Sequence, residues 1–94
     1  MNRPSAIATP QMSNERVIVT EWRFDPGAQT GWHVHKHDYV VVPQTDGDLL
    51  LEALGGNRIS RLIAGRSYAG SKATNHNVIN NSDHVVVFIE IAIR

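Results

Sequence analysis

Thr30-Gly31-Trp32-His33-Val34-His35-Lys36-His37-Asp38-Tyr39-Val40-Val41-Val42-Pro43 is the stretch whose spacing decides the fold. His33 and His35 stand two positions apart, so on a β-strand both imidazoles point to one face. Tyr39 to Val42 is rich in β-branched residues and reads as the following strand.

Outward from this stretch the same pattern of short strands and turns repeats. Upstream, Ile18, Trp22 and Phe24 share one face of a strand over Arg16 to Phe24. Asp25-Pro26-Gly27 then supplies a turn, because Pro fixes φ and Gly tolerates positive φ. Downstream, Asp46-Gly47 is a hairpin signal ahead of the alternation Leu49 to Glu52. Gly55-Gly56-Asn57 turns the chain into a strand from Arg58 to Ala64, and Gly65 and Gly70 bracket a short segment around Tyr68. Asn75 to Asn80 and Val85 to Ile93 are the last strands, divided by Asn81-Ser82-Asp83, with Val85, Val87, Ile89, Ile91 and Ile93 lining one face. Residues 1–14 are polar, contain proline and show no period, so they read as a flexible or draped N-terminal arm ahead of a single domain over residues 15–94.

No stretch combines helical period, caps and a stop signal over ten or more residues. Turns spaced roughly every 8–12 residues imply a β-sandwich or barrel. Closure buries the apolar face and removes exposed sheet edges. With 94 residues there is room for one domain. The resulting core is small, so a homodimer that extends the sheet or covers Val85–Ile93 is expected.

Composition narrows the partners. Hydrophobic residues make up 41% and charged residues 19%, the balance of a globular protein. Nine basic residues match nine acidic ones, which disfavours nucleic acid and anionic membranes. The absence of cysteine removes disulfides, thiol nucleophiles and cysteine metal sites. Met1 to Gln11 lacks the apolar core of a signal peptide, and the longest apolar runs, Val40 to Pro43 and Val85 to Ile89, fall far short of the ~20 residues of a membrane span. A cytoplasmic location is expected.

The chemistry concentrates in the histidines. His33 and His35 form a half-site for Zn, Fe, Mn, Ni or Cu, and His76, on a later strand, is the candidate third ligand. The competing reading of such a stretch is an exposed polar loop. His37, after Lys36, and His84, beside Asp83, read as solvated or supporting residues. No serine nucleophile motif, phosphate-cradling glycine loop or carboxylate pair offers another catalytic arrangement.

Around these histidines the chain resembles the cupins. Their first motif has the form G-x5-H-x-H-x3,4-E-x6-G and their second G-x5-P-x-G-x2-H-x3-N. Here Pro26-Gly27 is followed by five residues, His33-Val34-His35, three residues, Tyr39, and a glycine at Gly47. Later come Gly65 and then His76, with Asn80 four positions on; residues 48–64 separate the motifs. The phrases from Thr30 to His33 and from Asp38 to Pro43 are similar to a subgroup of small bacterial cupins labelled β-alanine degradation proteins.

The resemblance implies a jelly-roll β-barrel, also called a double-stranded β-helix, with a divalent transition metal held by His33, His35 and His76 and a small-molecule ligand in the barrel. It also exposes departures. Tyr39 stands where the family has its glutamate, and Ser71 and Ala73 replace the proline and glycine of the second motif. A three-histidine site leaves more open positions and more positive charge on the metal, as in cupin-type thiol dioxygenases that use iron and three histidines. The implied activity is dioxygenation or isomerisation of a small polar metabolite, with Tyr39 as the candidate catalytic residue. The alternative is a non-catalytic binding module with a degenerate site.

Other side chains carry simpler expectations. Trp22 and Trp32 are assigned to core or barrel-mouth packing, with ligand stacking an option for Trp32. Arg61 reads as an exposed edge-strand residue or as an inward carboxylate binder. Glu21 and Glu90 are placed at the surface by default.

Overall fold

The strand-and-turn rhythm closes into two facing antiparallel sheets. The computed structural model describes residues 2–94. Among these the order is β1 (Ile7–Ser13), β2 (Val17–Phe24), β3 (His33–Val34), β4 (Asp38–Pro43), β5 (Gly47–Ala53), β6 (Arg58–Leu62), β7 (Tyr68–Gly70), β8 (Asn75–Asn80) and β9 (Val86–Ile93). One sheet runs β1-β2-β9-β4-β7 and the other β3-β8-β5-β6. Neighbours in space are therefore often distant in sequence, which is the jelly-roll wrap that buries one face of each sheet.

The inner faces obey the two-residue period. Phe24, Tyr39, Val41, Val86 and Phe88 from the first sheet meet Leu49, Leu51, Leu62 and Val78 from the second, all buried. Trp22 packs at the margin of this cluster, and the Phe24 and Phe88 rings stack with centroids 5.5 Å apart. Each such side chain contributes about 1.5–3 kcal/mol of burial, the main force holding the sheets together.

Asn80, 1% exposed, acts as a clamp at one end of the barrel. Its Nδ2 donates to the carbonyls of Phe24, Asp25 and His84 at 3.1, 3.3 and 2.8 Å, while its Oδ1 accepts from the Ser82 amide at 2.9 Å. One amide thus ties the end of β2 to the β8–β9 turn. The second-motif asparagine is structural in this chain.

The apolar series Val87, Ile89, Ile91 and Ile93 shares one face, and that face is the outer one; the buried series on β9 is Val86 and Phe88, continued by Glu90 and Ala92. Within the stretch read as a flexible or draped arm, Ser5 bridges Gln29 beside β8, and β1 then pairs along β2. Every residue of β1 is exposed, so no apolar alternation marks it in the sequence. Backbone pairing, which needs no side-chain pattern, holds it. No helix among the described residues is long and apolar enough to cross a membrane.

Candidate metal centre

His33 opens β3 and pairs directly across from His76 on β8. The chain past β3 stays in register, with the His35 amide donating to the Thr74 carbonyl at 2.9 Å and the Ala73 amide to the His35 carbonyl at 2.8 Å. Two turns set this geometry. Gly31, at φ +85°, aims its carbonyl at the His33 ring, and Ala73 adopts φ +72°, a left-handed conformation that glycine takes without strain. That conformation explains why the cupin motif has glycine at this point, and alanine is strained there.

The three rings converge. His35 Nε2 lies 3.1 Å from His33 Nε2 and 3.1 Å from His76 Nε2. The ligand atoms of the three residues all lie within 4.8 Å of one another. His33 Nδ1 lies 2.8 Å from the Gly31 carbonyl, which can only accept, so the proton belongs on Nδ1 and Nε2 presents its lone pair inward. A ring nitrogen offers one in-plane proton or one lone pair. His35 Nε2 can therefore satisfy only one of its two neighbours, and a cation at the centre satisfies all three.

The donor set fits a metal. Ligand nitrogens at about 2.0–2.1 Å from an ion imply N···N edges of roughly 2.9–3.4 Å between right-angled and tetrahedral arrangements. Both 3.1 Å contacts fall inside that range. Burial first, then the adjacent imidazoles His33 and His76, lower the pKa of His35 to about 4. Burial, then His33 and Arg58, do the same for His76, also to about 4. Both rings are thus neutral near pH 7, the form that coordinates metal.

Tyr39 belongs to the same site. Its ring stacks on His35 with centroids 3.9 Å apart and planes 19° from parallel. It lies opposite Gly70 in the β4–β7 register, where a Cβ would overlap the phenol ring. Glycine at position 70 is therefore a seat for Tyr39. Burial raises the phenol pKa, a Thr74 hydrogen bond opposes this, and the hydroxyl stays protonated at neutral pH.

The histidines and Tyr39 line a barrel cavity of about 770 Å³ that also takes in Arg58, Tyr68 and Glu90. Arg58 lies opposite the buried Leu51, and Tyr68 and Glu90 both lie opposite the buried Val41, so all three stand on the cavity face of their strands, Glu90 half-buried and Arg58 and Tyr68 exposed. Arg58 and Tyr68 were not singled out from the sequence, and Glu90 is corrected from surface to cavity. Counting back by two from the buried Leu62 would have reached Arg58; counting forward by two from Phe88 would have reached Glu90. Arg61 is exposed, its Nε 3.3 Å from Asp48 Oδ1, and it also borders the cavity. Trp32, at 54% exposed, is corrected from packing to an exposed position outside the cavity lining. His37 lines the cavity without joining the three-histidine cluster. His84 sits in a loop, within 2.8 Å of the Asp46 carbonyl and 3.2 Å of Asp83.

This chain is similar to the β-alanine degradation protein BauB of Pseudomonas aeruginosa, with 58% identity over 92 residues, covering 98% of the chain and 97% of that protein. The crystal structure of a cupin domain from Bordetella pertussis superimposes with a TM-score of 0.98 at 57% identity, covering 100% of this chain and 98% of that one. A protein with a double-stranded β-helix domain from Klebsiella pneumoniae shares the fold alone, at a TM-score of 0.77 and 19% identity, covering 95% of this chain and 76% of that one. No protein-family profile matches the chain.

Proposed function

The chain belongs to the small bacterial cupins of the BauB family, and we propose that it binds a divalent transition metal through His33, His35 and His76 and acts with it on a small polar metabolite in the barrel. The observation carrying this reading is the unmatched pair of Nε2 contacts at 3.1 Å, which a cation relieves and protons cannot. Three imidazoles suit Fe, Zn, Mn, Ni or Cu. A metal held there would supply Lewis-acid or redox chemistry to a substrate of the dioxygenase or isomerase kind.

The chain's own residues divide the remaining work. Gly31 holds the His33 proton on Nδ1. Tyr39, stacked on His35 and protonated at neutral pH, is the catalytic candidate, offering a hydroxyl proton to a bound substrate. The apolar flank of Trp22, Val41 and Phe88 limits water on one side of the cavity. The name of the Pseudomonas relative, a β-alanine degradation protein, supports a metabolite of β-alanine breakdown as the ligand.

A second reading is favoured by one feature: the cluster contains histidines and no carboxylate, with Tyr39 at the glutamate position. On that reading the barrel holds metal or ligand without turnover. Metal analysis of untagged protein, followed by oxygen uptake and product analysis with candidate small acids, separates the two. Stoichiometric metal that His33→Ala abolishes, together with turnover, is the expected result. Metal-free protein indifferent to His33→Ala sinks the enzyme reading. Tyr39→Glu should raise metal affinity if Tyr39 occupies a vacated ligand position; a fall would implicate the phenol itself as a ligand.

We also propose a homodimer in a cytoplasmic setting. On the outer face of the first sheet, Val19 and Val40 flank Ile91 from either side, forming a half-buried apolar row. The adjoining β1 is exposed along its whole length. A second copy of this neutral chain is the occupant that would cover both.

A further inference from the structure

Among the described residues, Lys36, Arg58, Arg61, Arg66 and Glu90 carry charge in the cavity lining; Glu90 is the acid of this set and Arg58 the base set opposite a buried core residue, Leu51, and the metal reading leaves both without a task. Arg58 enters from β6 in one sheet and Glu90 from β9 in the other, so they approach the cavity from opposite walls. The ion pairs among the described residues are Arg3–Glu52, Arg61–Asp48 and His84–Asp83, and neither Arg58 nor Glu90 takes part in one. Neither side chain has a hydrogen-bond partner among the described residues. No buried side-chain nitrogen or oxygen among the described residues lacks a partner, so the Glu90 oxygens reach the cavity water.

Tyr39 and Tyr68 line the same cavity within electrostatic reach of both charges. Both phenols are influenced by Glu90 in one sense and by Arg58 in the other. Arg58 is exposed and keeps its charge solvated, whereas Glu90 is half-buried, so the unpaired carboxylate is the group that a cationic ligand relieves most and Arg58 is free to take an anionic one. A lone carboxylate ligand pairs Arg58 and leaves Glu90 without a partner; a lone amine does the reverse. Burial keeps Glu90 more protonated than an ordinary carboxyl, so it ionises at least cost when an ammonium arrives beside it.

We propose that Arg58 and Glu90 are the two ends of a zwitterion-binding site, Arg58 taking the carboxylate and Glu90 the ammonium of a short amino acid that lies along Tyr39 and Tyr68. This rests on reading the barrel cavity as the small-molecule site, and it names the ligand class. It does not require the metal to be present, because neither charge belongs to the histidine cluster.

The test is calorimetric titration of full-length protein with 4-aminobutanoate, butanoate and butylamine, both chelator-stripped and zinc-loaded. 4-Aminobutanoate is expected to bind about tenfold or more tighter than either single-charge probe, since each charge-assisted contact is worth about that factor. Arg58→Met should reduce its affinity to that of butylamine, and Glu90→Gln to that of butanoate. The proposal is overturned if butanoate or butylamine matches 4-aminobutanoate in the wild type, if Glu90→Gln leaves its affinity unchanged, or if no probe binds. Should a variant fail to fold, the wild-type ranking of the three probes decides alone. Discrimination in stripped protein that never takes up zinc would uphold this site while ending the metal reading; zinc uptake without discrimination would do the opposite.

Discussion

Acidifying the metal-stripped protein should unfold it through its own candidate ligands. His35 and His76 have pKa values lowered from 6.5 to about 4. Between those values the unfolded chain binds protons on these rings and the native protein does not, so stability falls as pH drops through that window. A shift of about 2.5 units corresponds to about 3.4 kcal/mol per ring at 1.36 kcal/mol per unit. Both rings line a cavity open to water, so solvent screening reduces this to about 1.5 kcal/mol each, or about 3 kcal/mol together.

Two groups work in the opposite sense. Glu90 and His84 have raised pKa values, from burial and from the Asp46 carbonyl with Asp83 respectively. Each favours the native state below its folded pKa and loses that contribution as pH rises through it. A double variant, His35→Gln with His76→Gln, keeps both opposing groups and removes only the two imidazoles. Urea midpoints at pH 6.5 and 4.5 then isolate the effect. With a slope of about 1 kcal/mol per molar urea, the wild-type midpoint should drop about 2–3 M further than that of the double variant. Parallel curves for the two proteins, or imidazole NMR signals of His35 and His76 titrating near pH 6.5, would refute the reasoning.

Other outcomes follow from single contacts. Asn80→Ala strips the Phe24, Asp25 and His84 carbonyls of a buried donor and should cost about 2–4 kcal/mol in chemical denaturation. Gly70→Ala drives a methyl into the Tyr39 ring and should cost about 1–3 kcal/mol, a loss largely absent when Tyr39 is also Ala; additive costs would show that the two do not touch. Ala73→Gly should stabilise by about 0.5–1 kcal/mol, because the left-handed strain at φ +72° outweighs the entropy glycine brings; a lower melting temperature would contradict this. Ile91→Lys should convert a dimer to a monomer by light scattering, while a wild type that is already monomeric discards the proposed interface.

The longer strands β2, β4, β5, β8 and β9 were legible because each carries buried residues, and a half-buried strand writes its period into the sequence. The His33–His35 spacing alone determined that two imidazoles share a face. His76 was the candidate third ligand from its later strand, and strand spacing implied a sandwich or barrel; resemblance to the cupin motifs put His76 at a ligand position and narrowed the fold to a jelly roll, and the structure brings all three rings together. The assembled sheets answer the questions that a single strand cannot. Strand β9 is apolar on both faces, so which side holds the core depends on the sheet facing it, and that choice turned Glu90 inward. Arg58 entered the cavity for a similar reason: the pairing of β6 with β5 sets its face, whereas the Ile59–Arg61–Ile63 series drew attention to the outer one. β1 left no pattern because backbone hydrogen bonds hold it and no side chain is buried. Local period determines that a residue alternates; only the partner strand and the opposing sheet determine what it alternates toward.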